Sequence, residues 1–390
     1  MRELISGDSA RKLVLRGETE VLLIHHNDTD GLSAAAILVK ALERENLKVR
    51  RVCLEKPYPE VVTELFEQST DNNTLVIMVD FGSGMLDLIS RLSIKEKRRC
   101  IVLDHHAIFG ELAPEVHLIN PLSMGLQGED CSASAVAYFF SQSLNKWNED
   151  LASLGVLGAL GDGFISHDKL IGLNQNVMTT ALKSSQLNEE FVYRDSQGEY
   201  FWRDVVSAVD ALGSVGYFRG GPDIAVKGLA FNDLYGMIEL SKPFVAQLNQ
   251  VFQKVASEIQ INQAAHISWF NLDNRFEGFG VKTVGLFCQY LRDNNLINPD
   301  KFIAGFQPIP RMLPGLPILA PLQTKVSMRV PENLKKRIED KSQLDLTAIL
   351  PVATKKLGGF VDACHPLAAS TTIPLGEEEA LVGIMEKLLG

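Results

Sequence analysis

Through roughly its first 165 residues the chain alternates short, near-continuous apolar runs with amphipathic stretches of helical length. The strand-like runs are Val21–His25, Lys48–Leu54, Thr74–Asp80, Cys100–His105 and Val116–Asn120. Helical segments fall between them, at Leu32–Glu45, Tyr58–Gln68 and Gly84–Lys97. A βαβα rhythm of this kind predicts a parallel sheet covered by helices on both faces. The runs TLVIMVD and CIVLDHH lack the polar alternation of a half-exposed strand, as expected for strands buried on both sides. The fold class is therefore α/β.

Beyond Asn120, PLSMGLQGEDCSAS reads as a loop entering a helix near Ala133, and a second helix, Leu151–Leu160, ends in GDG. Lys169 to Phe218 reads as helical but less regular, and YFRGGP marks a break. In SKPFVAQLNQVFQKVASEIQINQ, the residues Phe244, Leu248, Val251, Phe252, Val255 and Ile259 share one helical face, with Pro243 in the first turn. A second region begins near His266 and contains the Pro-rich crossing FQPIPRMLPGLPILAP. The expected division is a catalytic domain over 1–240, a long connecting helix over 241–264 and a smaller α/β domain over 265–390.

The net charge of −10 excludes a protein that coats long nucleic acid with a basic surface, because phosphate neutralisation dominates such binding. It fits an enzyme that grips a short substrate or a strand end, with part of the acidic excess serving as metal ligands. The five cysteines are widely spaced with no CxxC pair, which argues against a disulfide framework or structural zinc and for a reducing cytoplasm. No apolar run approaches the roughly 18 residues a membrane span needs, and the leading MRELISGDSARKLVLRG has no signal-peptide pattern. The expectation is a cytoplasmic protein with no membrane partner.

Four polar clusters stand at predicted strand or helix ends. They are HNDTDG (His26, Asp28, Asp30), VDFGSG (Asp80), LDHH (Asp104, His105, His106) and ALGDG (Asp162). Ligands of open α/β sheets gather outside the carboxyl ends of the strands, so one fold feature would bring all four to a single crevice. Hydrolysing a phosphodiester needs a nucleophilic hydroxide at neutral pH and a screen for phosphoryl charge. Two divalent cations about 3.5–4 Å apart supply both, and holding them requires several carboxylates, one of them bridging. Histidines among the carboxylates shift the preference from Mg2+ towards Mn2+. Alone, each cluster has a blander reading: a DxD as turn or N-cap aspartates, an HH pair as a loop feature, a GDG as a turn. Their number, order and placement carry the metal reading.

These four motifs resemble those of the DHH phosphoesterases, a family that includes RecJ-type single-strand exonucleases, oligoribonucleases of the nanoRNase type, cyclic-dinucleotide phosphodiesterases and family II pyrophosphatases. The second region resembles the family's DHH-associated domain, through KVSMR (Lys325–Arg329) and GGFVDACHPLAAS (Gly358–Ser370). SVGYFRGGP (Ser214–Pro222) is similar to archaeal RecJ-like proteins. The resemblance implies that His26 and Asp28 hold one cation and Asp30, His105 and Asp162 the other, with Asp80 bridging. His106 would face the phosphate and Asp104 would orient the histidines. Lys325, Ser327, Arg329 and His365 would bind the terminal phosphate or neighbouring backbone, and Asn120 would belong to the loop closing the first site. Ala363 and Cys364 occupy places where the family's run carries glycines, with Gly358 and Gly359 upstream. Between Lys325 and Lys356 there are eight Lys or Arg against four Asp or Glu, a local basic excess. Phe279, Phe287 and Tyr290 are candidate stacking platforms, with core packing as their alternative.

The HxDxD spacing argues against pyrophosphate, and without a sensory or membrane segment a membrane-bound cyclic-dinucleotide enzyme is disfavoured. The expected function is a Mn2+-dependent hydrolase of single-stranded DNA or RNA ends, using two divalent cations, with Mg2+ or Co2+ as alternatives to Mn2+. A short-oligonucleotide hydrolase of the nanoRNase type is the second expectation. The third is a replication-complex scaffold with vestigial activity, partnered by replication or repair proteins. The related eukaryotic replicative-helicase subunit has lost metal ligands, whereas this chain retains the whole set.

Overall fold

A computed structural model describes residues 14, 17, 19–68, 73–184, 186–317 and 319–390, excepting the side chains of residues 362 and 363. Most of the leading segment read for a signal peptide, and the Ala363 side chain, lie outside the described residues. The chain divides into two compact units, Met1–Val245 and Ala246–Gly390.

The first unit is built on five strands, β1 (Glu20–His25), β2 (Lys48–Cys53), β3 (Thr74–Val79), β4 (Cys100–Leu103) and β5 (Val116–Ile119). They form a wholly parallel sheet in the order β2-β1-β3-β4-β5. Every residue of β3 and β4 is buried, as the unbroken apolar runs require. Each such aliphatic side chain contributes roughly 1.5–3 kcal/mol by leaving water.

The crossovers are α1 (Thr29–Arg44), α2 (Pro59–Gln68) and α3 (Leu86–Lys95). Next come α4 (Ala133–Leu144) and α5 (Ala152–Gly161), which pack with α1 against Val21, Leu23, Leu75, Ile77, Ile101 and Leu103. Helix α5, ASLGVLGALG, is buried through Leu160, and its small residues allow that close packing. The sheet order places a topological switch point between β1 and β3, since the chain leaves β1 first for β2 and then returns to β3 on the other side.

The span read as irregular helix is a mixture. It opens with β7 (Lys169–Leu170), which pairs with β6 (Ile165–Ser166) just before the span, then holds α6 (Asn174–Ala181). A second hairpin follows, β8 (Val192–Arg194) and β9 (Glu199–Phe201), and then α7 (Trp202–Ser214) and α8 (Gly221–Ala230). Turn chemistry decides the second hairpin: Asp195 accepts backbone N–H bonds from Gln197 and Gly198, which closes a loop rather than a helical turn.

The long helix, α9 (Leu234–Glu258), starts and ends earlier than expected and crosses the boundary between the units. Pro243 lies in its interior rather than its first turn. Both Pro243 and Glu239, whose carbonyl loses its donor, are exposed, so water can satisfy that oxygen and the helix continues.

The second unit carries six strands, β10 (Asn262–Gln263), β11 (Ile267–Asn271), β12 (Phe302–Pro308), β13 (Gln323–Arg329), β14 (Phe360–Cys364) and β15 (Ala368–Pro374). Their order is β10-β11-β12-β13-β15-β14, antiparallel except for the β11–β12 pair. Helix α10 (Lys282–Asp293) packs on one face of this sheet, over β12 and β13. The other face forms an apolar core with Leu334 of α11 (Glu332–Glu339), Ile349 of α12 (Leu346–Lys356) and Met385 of α13 (Glu378–Leu389). Phe279 and Phe287 are buried, and Phe252, Phe276, Phe287 and Tyr290 form one aromatic cluster, so these rings pack the core. The architecture is α/β, with a parallel-sheet unit, a long helix and a smaller α/β unit.

Candidate metal centre

Three segments carry their candidate ligands within a few residues of the carboxyl ends of β1, β3 and β4. After β1 the chain runs extended through Asp28, whose side chain caps α1 by accepting from the Gly31 amide at 3.0 Å. Asp30 follows in the first turn, where its two oxygens accept the amides of Ala133 (2.7 Å) and Ser134 (2.9 Å). That places a fully buried carboxylate at the positive end of α4. The approach is tight: a Cβ on Gly158 of α5 would collide with Asp30 Oδ1 and Ser134 Oγ.

Asp80, just past β3, adopts a left-handed backbone (φ 64°), tolerated by aspartate but costing about 1–3 kcal/mol. The residues after β4 are Asp104, His105 and His106. The fourth contribution, Asp162, is the C-cap of α5.

The two histidines that would ligate are each held by a backbone carbonyl. His26 Nε2 donates to Glu55 O at 3.1 Å, so its lone pair is at Nδ1. That atom lies 2.8 Å from Asp28 Oδ2 and 3.2 Å from Asp80 Oδ2. His105 Nδ1 donates to Gly128 O at 3.2 Å, so its lone pair is at Nε2. Here Asp80 Oδ1 lies at 3.4 Å, Asp162 Oδ2 at 3.5 Å and Asp30 Oδ2 at 3.9 Å.

In both places a ring nitrogen faces carboxylate oxygens, an arrangement that needs a proton or a metal cation between them. Ligand atoms about 2.0–2.2 Å from one metal lie about 2.9–3.6 Å from one another, and most of these separations fall near that range. The donor set thus fits divalent cations. Among the described residues the candidate groups are His26–Asp28–Asp80, Asp30–His105–Asp162 and Asp80–His105–His106, each with ligand atoms within 4.8 Å. Asp80 turns Oδ2 to the first histidine and Oδ1 to the second.

Burial pushes the Asp80 carboxyl well above the usual carboxylate range, helped by the charges of Asp28, Asp30 and Asp162. Burial and the neighbouring His106 lower the His105 imidazole. The Asp104–His106 pair behaves oppositely. Burial alone would raise Asp104, but the charge and hydrogen bond of His106, with His105 and the Ser83 amide, hold it below the ordinary range. Burial alone would lower His106, yet the Asp104 charge and its 2.8 Å bond to Nδ1 raise it. Asn120, nearly fully buried, donates to His106 O and Ser83 Oγ, both at 2.9 Å, and so fixes the backbone of the LDHH loop.

Several supports have no side-chain signature in sequence. The carbonyls of Glu55 and Gly128 select the tautomers, and the amides of Ser83, Ala133 and Ser134 hold carboxylates. Lys56 is buried at 5% exposure, and its charge acts on His106, a site neighbour that the motifs do not indicate.

In the second unit, Lys325, Ser327 and Arg329 share one face of β13, opposite Thr372, Ser370 and Ala368 of β15. Lys325 donates to Ser370 Oγ, and Arg329 Nη1 donates to Ser327 Oγ (3.2 Å) and Met328 O (2.8 Å). A Cβ on Gly285 of α10 would sit 3.0 Å from both Arg329 Nη2 and Ser327 Oγ. His365 lies in the β14–β15 turn, its amide bonded to Ala368 O at 2.9 Å. Arg329 and His365 are thus at one end of the stripe, while Lys325 is four residues, about 13 Å, along the strand.

Known proteins resemble this chain to differing degrees. The uncharacterised protein MJ0831 of Methanocaldococcus jannaschii is 30% identical over 220 residues, 55% of this chain and 47% of that one. The match thus spans about half the length of that curated relative. RecJ from Thermus thermophilus, solved in complex with Mn2+, superposes with a TM-score of 0.68 at 15% identity, covering 98% of this chain and 53% of that chain. Exonuclease RecJ bound to manganese gives a TM-score of 0.63 at 16% identity, covering 98% and 93%. CDC45 from Entamoeba histolytica gives 0.58 at 11% identity, covering 99% and 98%. At these identities the structural likeness establishes the fold, which is that of RecJ. Residues 20–159, which include every candidate ligand except Asp162, match the model of the DHH family's N-terminal domain.

Proposed function

We propose that the protein is a Mn2+-dependent, two-cation phosphodiester hydrolase that acts on the ends of single-stranded DNA or RNA. The observation that carries this reading is the Asp80 carboxylate, with one oxygen toward the His26–Asp28 group and the other toward His105, Asp30 and Asp162. A bridging ligand between two cations needs that disposition. In this reading His26, Asp28, Asp30, Asp80, His105 and Asp162 hold the ions, with Mg2+ or Co2+ as substitutes for Mn2+.

The bound cations would supply activation of the attacking water and screening of phosphoryl charge. The residues do the rest. Asp104 holds the proton on His106 Nδ1 and aims the ring, and the raised affinity of that imidazole for protons suits it to meet a phosphoryl oxygen through Nε2. Asn120 keeps the loop carrying His106 from shifting as charge develops. Lys325, Ser327, Arg329 and His365 are the proposed contacts for terminal phosphate and backbone. The match to RecJ structures, two of them named as manganese-bound, supports the metal and the substrate class.

The CDC45 likeness favours keeping a second reading, a replication-complex scaffold with vestigial activity. The complete donor set argues against it. Hydrolysis confined to short oligonucleotides is a third reading. No helix among the described residues is long and apolar enough to cross a membrane. All five cysteines are free of disulfides, and the reducing, cytoplasmic location expected from their spacing is part of this proposal.

The test is a product-length time course with Mn2+, on single-stranded DNA and RNA labelled at either end and on di- to pentanucleotides. Stepwise loss from one end of long strands supports the exonuclease reading. Cleavage only of the shortest oligomers replaces it with the scavenger reading, and no cleavage despite Mn2+ binding brings the scaffold forward.

A further inference from the structure

The proposed metal-binding loop alternates two kinds of residue. His26, Asp28 and Asp30 face the candidate cations. Asn27 and Thr29, between them, are buried and turn to α7. Asn27 Nδ2 donates to Gly213 O at 2.8 Å and to Glu55 Oε1 at 3.1 Å. Thr29 gives both of its donors to a single oxygen: its amide at 3.2 Å and its hydroxyl at 2.9 Å both reach Asp210 Oδ1.

Asp210 and Gly213 are three residues apart on α7 and therefore on one face, so a single rigid helix takes hold of the loop at two alternate residues. The fit leaves no slack. A Cβ on Gly213 would collide with Asn27 O, and one on Gly161 would lie 2.7 Å from Thr29 Cγ2. Gly161 immediately precedes Asp162, so Thr29 is wedged between α7 and the helix end that supplies another candidate ligand. Asp210 itself is steadied by its own helix, where Ser214 Oγ donates to its carbonyl at 2.5 Å.

From this alternation we infer that Asp210 is a positioning residue for the metal centre: through Thr29 it sets the spacing of Asp28 and Asp30, and with it the affinity for both cations. The role gives a use to the stretch around SVGYFRGGP, whose first residue, Ser214, ends α7. It does not depend on the charge of Asp210 but on one acceptor oxygen that serves two donors. A neutral acceptor of the same shape preserves it, and loss of the oxygen frees the peptide between two ligands. Partners that orient ligands in this way typically matter about 10–100-fold in metal affinity.

This inference rests on the metal reading above, and the experiment separates the two. Mn2+ is titrated calorimetrically into the full chain, after chelation and exchange, for the unmodified protein, Asp210→Ala, Asp210→Asn and Thr29→Val, with circular dichroism of each metal-free form. The expected result is Mn2+ binding weakened about 10–100-fold in Asp210→Ala and less in Thr29→Val, which keeps the amide donor. Asp210→Asn should stay within about threefold of the unmodified protein. Unchanged affinity in Asp210→Ala overturns the inference and leaves the metal site standing. Equal damage from Asp210→Asn also overturns it, by showing that charge matters rather than the acceptor. If Asp210→Ala does not fold, Thr29→Val decides, and unchanged Mn2+ affinity there is the overturning result. Absence of Mn2+ binding by the unmodified protein refutes the metal reading itself.

Discussion

The two units both concentrate polar side chains on a sheet, yet they do so in opposite ways. In the first, the polar residues lie beyond strand ends at a topological switch point, and backbone groups hold them in orientations that set lone pairs against carboxylates. In the second, they lie along β13 up to its last residue, beneath α10, and answer one another: Lys325 to Ser370, Arg329 to Ser327. A donor set that repels itself is a site suited to a cation. A stripe that satisfies itself is stable without a ligand, and any ligand must compete with bonds already made. The first unit should therefore respond sharply to single changes and the second mildly.

The largest expected effect tests the bridge. Asp80→Ala removes an oxygen from both candidate cations at once, so hydrolysis should fall by at least about 10³-fold, worth about 4 kcal/mol of barrier. Raising Mn2+ should not restore it, because neither site is left complete. Substantial recovery in excess Mn2+ would assign Asp80 to one ion and remove the bridge.

Next is removal of the metal. Cations at about a hundred times their dissociation constant add about 2.7 kcal/mol to the folded state, and more when they relieve repulsion among buried carboxylates. For a unit of this size that corresponds to a loss of roughly 5–10 °C in Tm on chelation, recovered with Mn2+. A melting curve indifferent to chelator would mean that the carboxylates are satisfied in the metal-free protein, as the second unit's residues are, and the contrast would collapse.

Smaller still is the effect of Gly158→Ala. Its Cβ would displace Asp30 from the amides of Ala133 and Ser134, and overpacking of this kind costs about 1–3 kcal/mol. Denaturant unfolding should show that loss, and Mn2+ binding should weaken in parallel. A stable variant with intact Mn2+ binding would show that α5 can retreat and that the cradle is soft.

The parts legible in sequence are those with a period or a side-chain signature. Apolar runs mark β1, β3 and β4, and the residues just after them carry the candidate ligands, because parallel sheets put such residues at one edge. The hairpin at Val192–Phe201 escapes the sequence reading because a short, half-exposed strand pair has too few apolar positions to reveal a period, although Asp-Ser-Gln-Gly is a readable turn. The start of α9 is displaced in that reading because proline ordinarily marks a first turn, whereas exposure alone lets Pro243 sit in the interior. Backbone carbonyls that fix histidine tautomers, and a carboxylate some 180 residues from the loop it steadies, leave no local trace. Asp210 is visible only when the chain is folded.

The smallest expected effect decides whether the second unit binds substrate at all. Arg329→Ala should raise KM more than it lowers kcat, since a residue that grips phosphate away from the reacting centre contributes binding that is equal in ground and transition states. Its hydrogen bonds run to one hydroxyl and one carbonyl rather than to a carboxylate, so its charge can be turned to an anion by giving up two modest bonds. Lys325 gives the internal comparison. At 4% exposure and bonded to Ser370, it reaches substrate only by giving up that bond, so Lys325→Met should cost stability and raise KM less than Arg329→Ala does. If Lys325→Met raises KM as much as Arg329→Ala does, the whole stripe opens to substrate, and the self-satisfied arrangement is a resting state that binding replaces. If neither moves KM, the grip on the strand end lies in the first unit, and Lys56, the buried cation beside His106, becomes the residue to change.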